Sequence, residues 1–226
     1  MFAIFAIIIS GERTALFLLI LSYFLFFPFF LLKFFSIKYF ILIFILPLLI
    51  SFHFINDKLT DRIFQDFDKH FSIDTNTSVY ASYYKNSYLI FLENPIIGKG
   101  PNSFRYECKK YISTSSNYGC NTHPHNTYFQ LLAENGLLGF MYIFFIFLYF
   151  VFRIYKLTLN VKILERQLIF SEFFLFTIFI LNLFPFVTSG NFYNNWLNIF
   201  YFLPVGFFLF NEKKMVASGG LEPPRE

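Results

Sequence analysis

Apolar runs of near-membrane length, separated by short basic connections, constrain this chain more than any motif does. Residues 15–32, 39–55, 137–152, 168–187 and 196–210 are almost free of charge, and a hydrocarbon core of about 30 Å is crossed by roughly 20 apolar helical residues. In lipid a spanning backbone has to satisfy its own hydrogen bonds, which a helix does. Residues 1–9 are apolar but only about half the length that a crossing needs. The expected fold is an all-α polytopic membrane protein with about five full transmembrane helices and a truncated one at the N-terminus. A hydrophobic share of 56%, 39 Phe and 14% charged residues exclude a soluble domain of this size. Most of the phenylalanines are expected to face lipid.

The chain divides into helices over 1–55, an extramembrane loop over 56–136, further helices over 137–215, and a tail over 216–226 expected to be disordered. Lys33 and Lys38, then Arg153, Lys156, Lys162 and Arg166, then Lys213 and Lys214 mark connections that fall on one side if every run crosses once. That side is cytoplasmic by the positive-inside bias. Residues 10–14, the long loop and residues 189–195 then face an external, oxidising space. Cys108 and Cys120 lie there, as a disulfide contributing about 2–3 kcal/mol or as two free thiols. The net charge of +4 is spread among loops, so nucleic acid is excluded as a partner and the lipid bilayer is the expected one.

Polar chemistry meets the membrane boundary in the segment from Cys120 to Gly136. Pro124 holds His123 extended, and Thr127 followed by Gln130 reads as a capping box, so a helix is expected to start near Thr127. His125 would then stand at a helix N-terminus whose N–H groups favour an anion, suited to general acid or base work; the plain alternative is a solvated loop histidine. Arg13, in a Ser-Gly-Glu-Arg-Thr turn, is either an interface anchor or a guanidinium fork for phosphate oxygens. In the segment 94–105 the glycines at 98 and 100 mark a tight turn, and Lys99 or Arg105 would supply positive charge to the same anion. Glu134 would orient a histidine or cap a neighbouring helix. Cys120 with His123 and His125 would also suit zinc, but no fourth ligand is evident.

Taken together, Ser10-Gly-Glu-Arg13, Asn94-Pro-Ile-Ile-Gly98-x-Gly100 with Phe104, and His123-Pro-His125-Asn126 running on to Glu134, Gly136 and Gly139 resemble the O-antigen ligase and polymerase family of bacterial envelope proteins. The resemblance spans roughly residues 5–205, and the block from His123 to Gly139 is its most specific part. It implies a GT-C-like membrane glycosyltransferase at the periplasmic face of the inner membrane, acting without metal or other cofactor. Its donor would be an undecaprenyl-pyrophosphate-linked glycan and its acceptor a lipid or a glycan. It also implies that Arg13 binds the pyrophosphate and that His125 assists the attacking hydroxyl; His123 and Asn126, on either side of His125, are expected to contact substrate. A second loop arginine of the family pattern has no direct counterpart, and Lys85 or Arg105 would replace it. The family pattern has more spans than this chain supplies, so the chain reads as its C-terminal portion. The competing reading is a non-catalytic membrane protein, such as a transporter fragment or an inactive partner subunit. A transporter would carry ionisable groups at mid-membrane depth, whereas these runs are nearly uncharged and their polar residues crowd the outer boundary.

Overall fold

The computed structural model describes residues 2–31, 38, 45, 46, 49, 78–112, 119–159 and 166–217. The expected run 39–55, apart from three isolated positions, and the loop residues 56–77 lie outside the described residues. All regular structure among the described residues is helical: α1 (Phe2–Ser10), α2 (Arg13–Leu31), α3 (Val79–Glu93), α4 (Phe104–Glu107), α5 (Thr127–Leu159), α6 (Arg166–Asn182) and α7 (Asn195–Ala217), with a 3-10 turn over Cys108–Tyr111. Helix α7 continues two residues into the segment expected to be a disordered tail.

The turn between α1 and α2 follows from its residues. Gly11 takes a left-handed φ of 66°, Ser10 Oγ accepts the Glu12 N–H at 3.2 Å, and the Glu12 carbonyl accepts the Leu16 N–H at 2.9 Å. Arg13 is thereby the first residue of α2.

Helices α5 and α6 pack through phenylalanines. Phe147, Phe150 and Ile154 meet Phe173, Phe176, Phe179 and Ile180, with Phe26 of α2 and Val205 of α7 at the margin. Phe150 and Phe179 stack with centroids 4.2 Å apart, and Phe26 meets Phe173 edge-on at 5.2 Å. The phenylalanine runs therefore divide: these rings lie between helices, while Phe24, Phe145, Phe152, Phe174 and Phe202 stay exposed. Among the described residues one helix, α5, is long and apolar enough to cross a membrane.

A second cluster sits around α3, where Tyr83, Asn86, Ser87 and Ile90 form one buried face. Ile90 and Tyr83 pack with Phe104, Cys108 and Ala133. Relative to exposure in water, burial of Ile90 and Phe104 contributes about 1.5–3 kcal/mol each.

Helix α5 is two helices in line. Gly136 departs from helical geometry with φ 64° and ψ −160°, dividing a polar nine-residue head from the apolar rod that begins at Leu137. The break is filled by the turn after α3. Leu137 N–H donates to the Pro95 carbonyl at 2.8 Å and Leu138 N–H to the Ile96 carbonyl at 3.2 Å; Lys99 and Gly100 N–H donate in return to the Ala133 and Glu134 carbonyls. A Cβ on Gly98 would lie 2.4 Å from the Glu134 carbonyl carbon, and one on Gly136 2.5 Å from that of Ile96.

Candidate active site

The histidine segment is pinned from several directions. A disulfide joins Cys120 to Cys108 with Cα atoms 5.2 Å apart, and the buried Asn86 amide donates to the Gly119 carbonyl at 2.5 Å. Its far end is held by Asn126, whose Oδ1 accepts the N–H groups of Tyr128 at 3.0 Å and Phe129 at 3.2 Å. Asn126, not Thr127, is thus the helix cap. The short Asn side chain reaches both first-turn donors, and Thr127 becomes the first helical residue, its hydroxyl 2.9 Å from Ser189 Oγ. Two expectations change with it. The helix end expected to hold an anion has two first-turn donors closed by its own cap. Asn126, expected to contact substrate, has its Nδ2 committed as well, to the carbonyls of Pro185 at 2.8 Å and Val187 at 3.2 Å.

His125 occupies the left-handed region at φ 58°, which turns the chain between Pro124 and the cap. Its carbonyl accepts the Ser189 N–H at 2.9 Å. Its ring stacks on Tyr83 at 5.6 Å, meets Tyr80 edge-on at 5.9 Å and lies 4.2 Å from the ring of His123. Asn121 Nδ2 lies 3.0 Å from His125 Nε2. The orientation of that amide is fixed, because the Thr122 N–H donates to Asn121 Oδ1 at 2.7 Å. Asn121 therefore donates, Nε2 accepts, and the neutral ring carries its proton on Nδ1. Burial lowers the pKa of His125 and keeps it neutral. His123 is pushed down to about 4, first by burial, then by His125, with the Ser189 backbone opposing and Arg105 adding a smaller push in the same direction. Its Nδ1 lies 3.0 Å from Thr122 Oγ1. Its Nε2 is buried without a hydrogen-bond partner among the described residues, so the Ser189 backbone stands near it but outside hydrogen-bond geometry.

Arg13 reaches the same locality through its neighbour. Thr14 Oγ1 lies 2.7 Å from Thr188 Oγ1, and Thr188 precedes the serine that holds the His125 carbonyl. Tyr80 reports the charge: burial and Tyr83 raise its pKa, Arg13 lowers it and Glu12 raises it, while its ring touches His125. Arg105 also acts on the histidine segment. Its Nη2 donates to Asn102 Oδ1 at 3.3 Å, and its charge pulls down both His123 and Glu134.

Glu134, fully buried, caps the neighbouring helix α4 rather than orienting a histidine. Its oxygens accept the N–H groups of Phe104 and Asn102, each at 3.0 Å, and the amide of Gln130 at 3.1 Å. Burial raises its pKa, and those three hydrogen bonds oppose the rise. Gln130 also donates to Asn191 Oδ1 at 2.8 Å, and Asn191 donates to Asn102 Oδ1 at 3.1 Å. The remaining cations stand apart. Lys99 pairs with Glu93 at 2.5 Å, which neutralises the charge expected beside an anion, and Lys85 is exposed outside the buried face of α3. Among the described residues no three of His, Cys, Asp and Glu gather as a metal site, and the sulfur of Cys120 is committed to its disulfide.

Sequence reading did not single out Tyr80, Tyr83, Asn121, Ser189 or Asn191. The run of amides between 191 and 195, beside an external turn, was the available signal for the last of these. What the residues assemble is a neutral imidazole in a half-buried aromatic setting, with the charge of Arg13 felt at Tyr80 and that of Arg105 at His123. A neutral imidazole is the form that can accept a proton from a hydroxyl.

A family model described as O-antigen ligase matches residues 1–144. No curated protein and no solved structure matches the chain. The matched part holds Arg13, Arg105, His123, His125, Asn126 and Glu134, whereas the partners Thr188, Ser189 and Asn191 lie beyond it. Since the match covers more than half of the 226 residues, the chain belongs to the O-antigen ligase family.

Proposed function

We propose that this chain belongs to a polytopic glycosyltransferase of the GT-C type, which acts at the periplasmic face of the inner membrane. It transfers an undecaprenyl-pyrophosphate-linked glycan to a lipid acceptor, or adds it to a growing glycan. The acceptor hydroxyl oxygen attacks the anomeric carbon, its proton passes to His125 Nε2, and the bond from that carbon to the pyrophosphate oxygen breaks. Undecaprenyl pyrophosphate leaves with the bonding pair, and Arg13 stabilises the charge it gains, with Arg105 and His123 lining the approach. A guanidinium suits this task because its planar donors match phosphate oxygens in pairs. Asn121 has to yield the Nε2 lone pair to the incoming hydroxyl, a small movement for an exposed side chain.

One observation carries this reading: the Thr14–Thr188 contact and the Ser189–His125 bond stand at adjacent residues of one turn, tying the start of α2 to the histidine segment. The test is glycan transfer by the chain in proteoliposomes, supplied with an undecaprenyl-pyrophosphate glycan and a lipid A-type or glycan acceptor. Release of undecaprenyl pyrophosphate that depends on an acceptor is expected, and the product, a single adduct or a ladder, separates ligation from polymerisation. Correct insertion with no release from either acceptor would leave a non-catalytic membrane protein.

A further inference from the structure

The turn after α3 presents an unusual surface. Ile96 and Ile97 at its tip are 65% and 68% exposed, and beside them, at the start of the apolar rod of α5, Leu137 and Leu138 are 48% and 63% exposed. The four are contiguous, because backbone hydrogen bonds run from Leu137 to Pro95 and from Leu138 to Ile96. Exposed apolar surface of this kind marks a contact with another phase or molecule.

We propose that the tip Pro95-Ile96-Ile97 is inserted among the lipid chains of the outer leaflet, in the membrane that α5 crosses, so that it packs in lipid beside Leu137 and Leu138. Lipid is the occupant for three reasons. Leu137 opens the rod, and roughly 20 residues of helix from there reach the neighbourhood of Lys156, so the tip is level with the outer end of a span. The turn also satisfies part of its backbone internally, which an apolar medium favours because unsatisfied backbone groups are costly there. Pro95 has no N–H, the carbonyls of Pro95 and Ile96 accept the donors freed by the break at Gly136, and Gly98 N–H donates to the Asn94 carbonyl at 2.9 Å. Finally, charge stops at the base of the turn: Glu93 and Lys99 pair across it, Tyr111 Oη donates to Glu93, and Lys110 contacts Glu107. An apolar tip above a paired, charged base has the polarity profile of an element seated at a headgroup boundary.

The inference rests on α5 crossing a membrane and is independent of the transfer chemistry. It is tested with nitroxide labels on single cysteines in the full chain, the native cysteines being joined to each other, in vesicles of phosphatidylethanolamine and phosphatidylglycerol. Ile97→Cys, Leu138→Cys and Phe145→Cys replace exposed side chains and remove no core contact. At Ile97→Cys, relaxation by oxygen should exceed relaxation by a polar nickel chelate by a ratio close to that at Leu138→Cys and severalfold above that at Lys85→Cys. A nickel-dominated label at 97 with an oxygen-dominated one at 145 would overturn the insertion alone. Nickel dominance at both would overturn the crossing of α5 as well. Low access to both reagents at 97, with dipolar broadening between labels, would overturn lipid as the occupant in favour of a second copy.

Discussion

The hydroxyls of Thr14 and Thr188 lie 2.7 Å apart, so the first turn of α2 is fastened to the residue before the serine that holds the His125 carbonyl. Through that fastening Arg13 and the histidine segment share one locality, although most of the chain's first half lies between them. Breaking it should separate the two functions without touching either side chain. Thr14→Val is expected to lower glycan transfer while leaving insertion intact, and Arg13→Lys to lower it more, because an ammonium keeps the charge but loses the paired donors. Steady-state transfer measured side by side for the two variants checks the order.

His125→Ala is expected to lose the roughly 10²–10⁴-fold that a general base contributes. Asn121→Ala should raise kcat/KM for the acceptor by about fivefold, because the bond of about 1 kcal/mol that has to open before a hydroxyl reaches Nε2 is gone. An unchanged kcat/KM in Asn121→Ala would show that this bond does not compete with the acceptor.

The two histidines give different pH signatures. Transfer needs neutral His125, and burial places its pKa below the ordinary 6.5, so the rate should be flat through neutral pH and fall only on the acid side of that value. His123 acts on stability. Its folded pKa of about 4 lies below the unfolded 6.5, so between those values the unfolded chain binds the extra proton and stability falls as pH falls. Below about pH 4 this contribution levels off. Thermal unfolding across that window should show the slope in the parent chain and a shallower one in His123→Gln.

Reduction of the Cys108–Cys120 disulfide, or Cys108→Ser, should destabilise the cluster around α3 by about 2–3 kcal/mol, as expected for a short closed loop. Limited proteolysis near the histidine segment should quicken accordingly, while cleavage near α6 and α7 stays unchanged.

Gly136→Ala is expected to be among the most damaging small changes. The new methyl meets the Ile96 backbone at 2.5 Å, and the left-handed φ of 64° adds strain of its own, of order 1–3 kcal/mol. Gly100→Ala, left-handed as well but with open space around it, should show the strain alone. The difference in unfolding midpoint between the two variants measures the close approach.

Sequence alone went furthest where one local feature decides the outcome. The apolar rod starts at Leu137 as expected because Gly136 ends the polar head there, whereas the helix at 79–93, capped by Ser78, lies inside the segment read as a loop. It fell short where two local rules fit equally well or where the partner is distant. Asn126 and Thr127 are both good caps, and the amide prevails because the carbonyls of Pro185 and Val187 hold its other end. Gln130 fits a capping box by spacing, yet it is drawn towards Glu134 and Asn191. Lys99 looked like a cation for an anion until Glu93 was found beside it. Tyr80 and Tyr83 gave no signal, because in a chain with 24% aromatic residues a tyrosine does not stand out.

The pairing of Gly98 with Gly136 also limits how this protein can change. The volume that a Cβ would occupy at either position already holds main-chain atoms of the facing segment. A trimmed side chain elsewhere cannot make room. A suppressor of Gly98→Ala would have to lengthen or shorten the turn between Asn94 and Gly100, and so give up the register that seats it against Leu137 and Leu138. Variation in this part of the chain is therefore expected to come as replacement of the whole turn, with its length and its glycines exchanged together, and not as an accumulation of single substitutions.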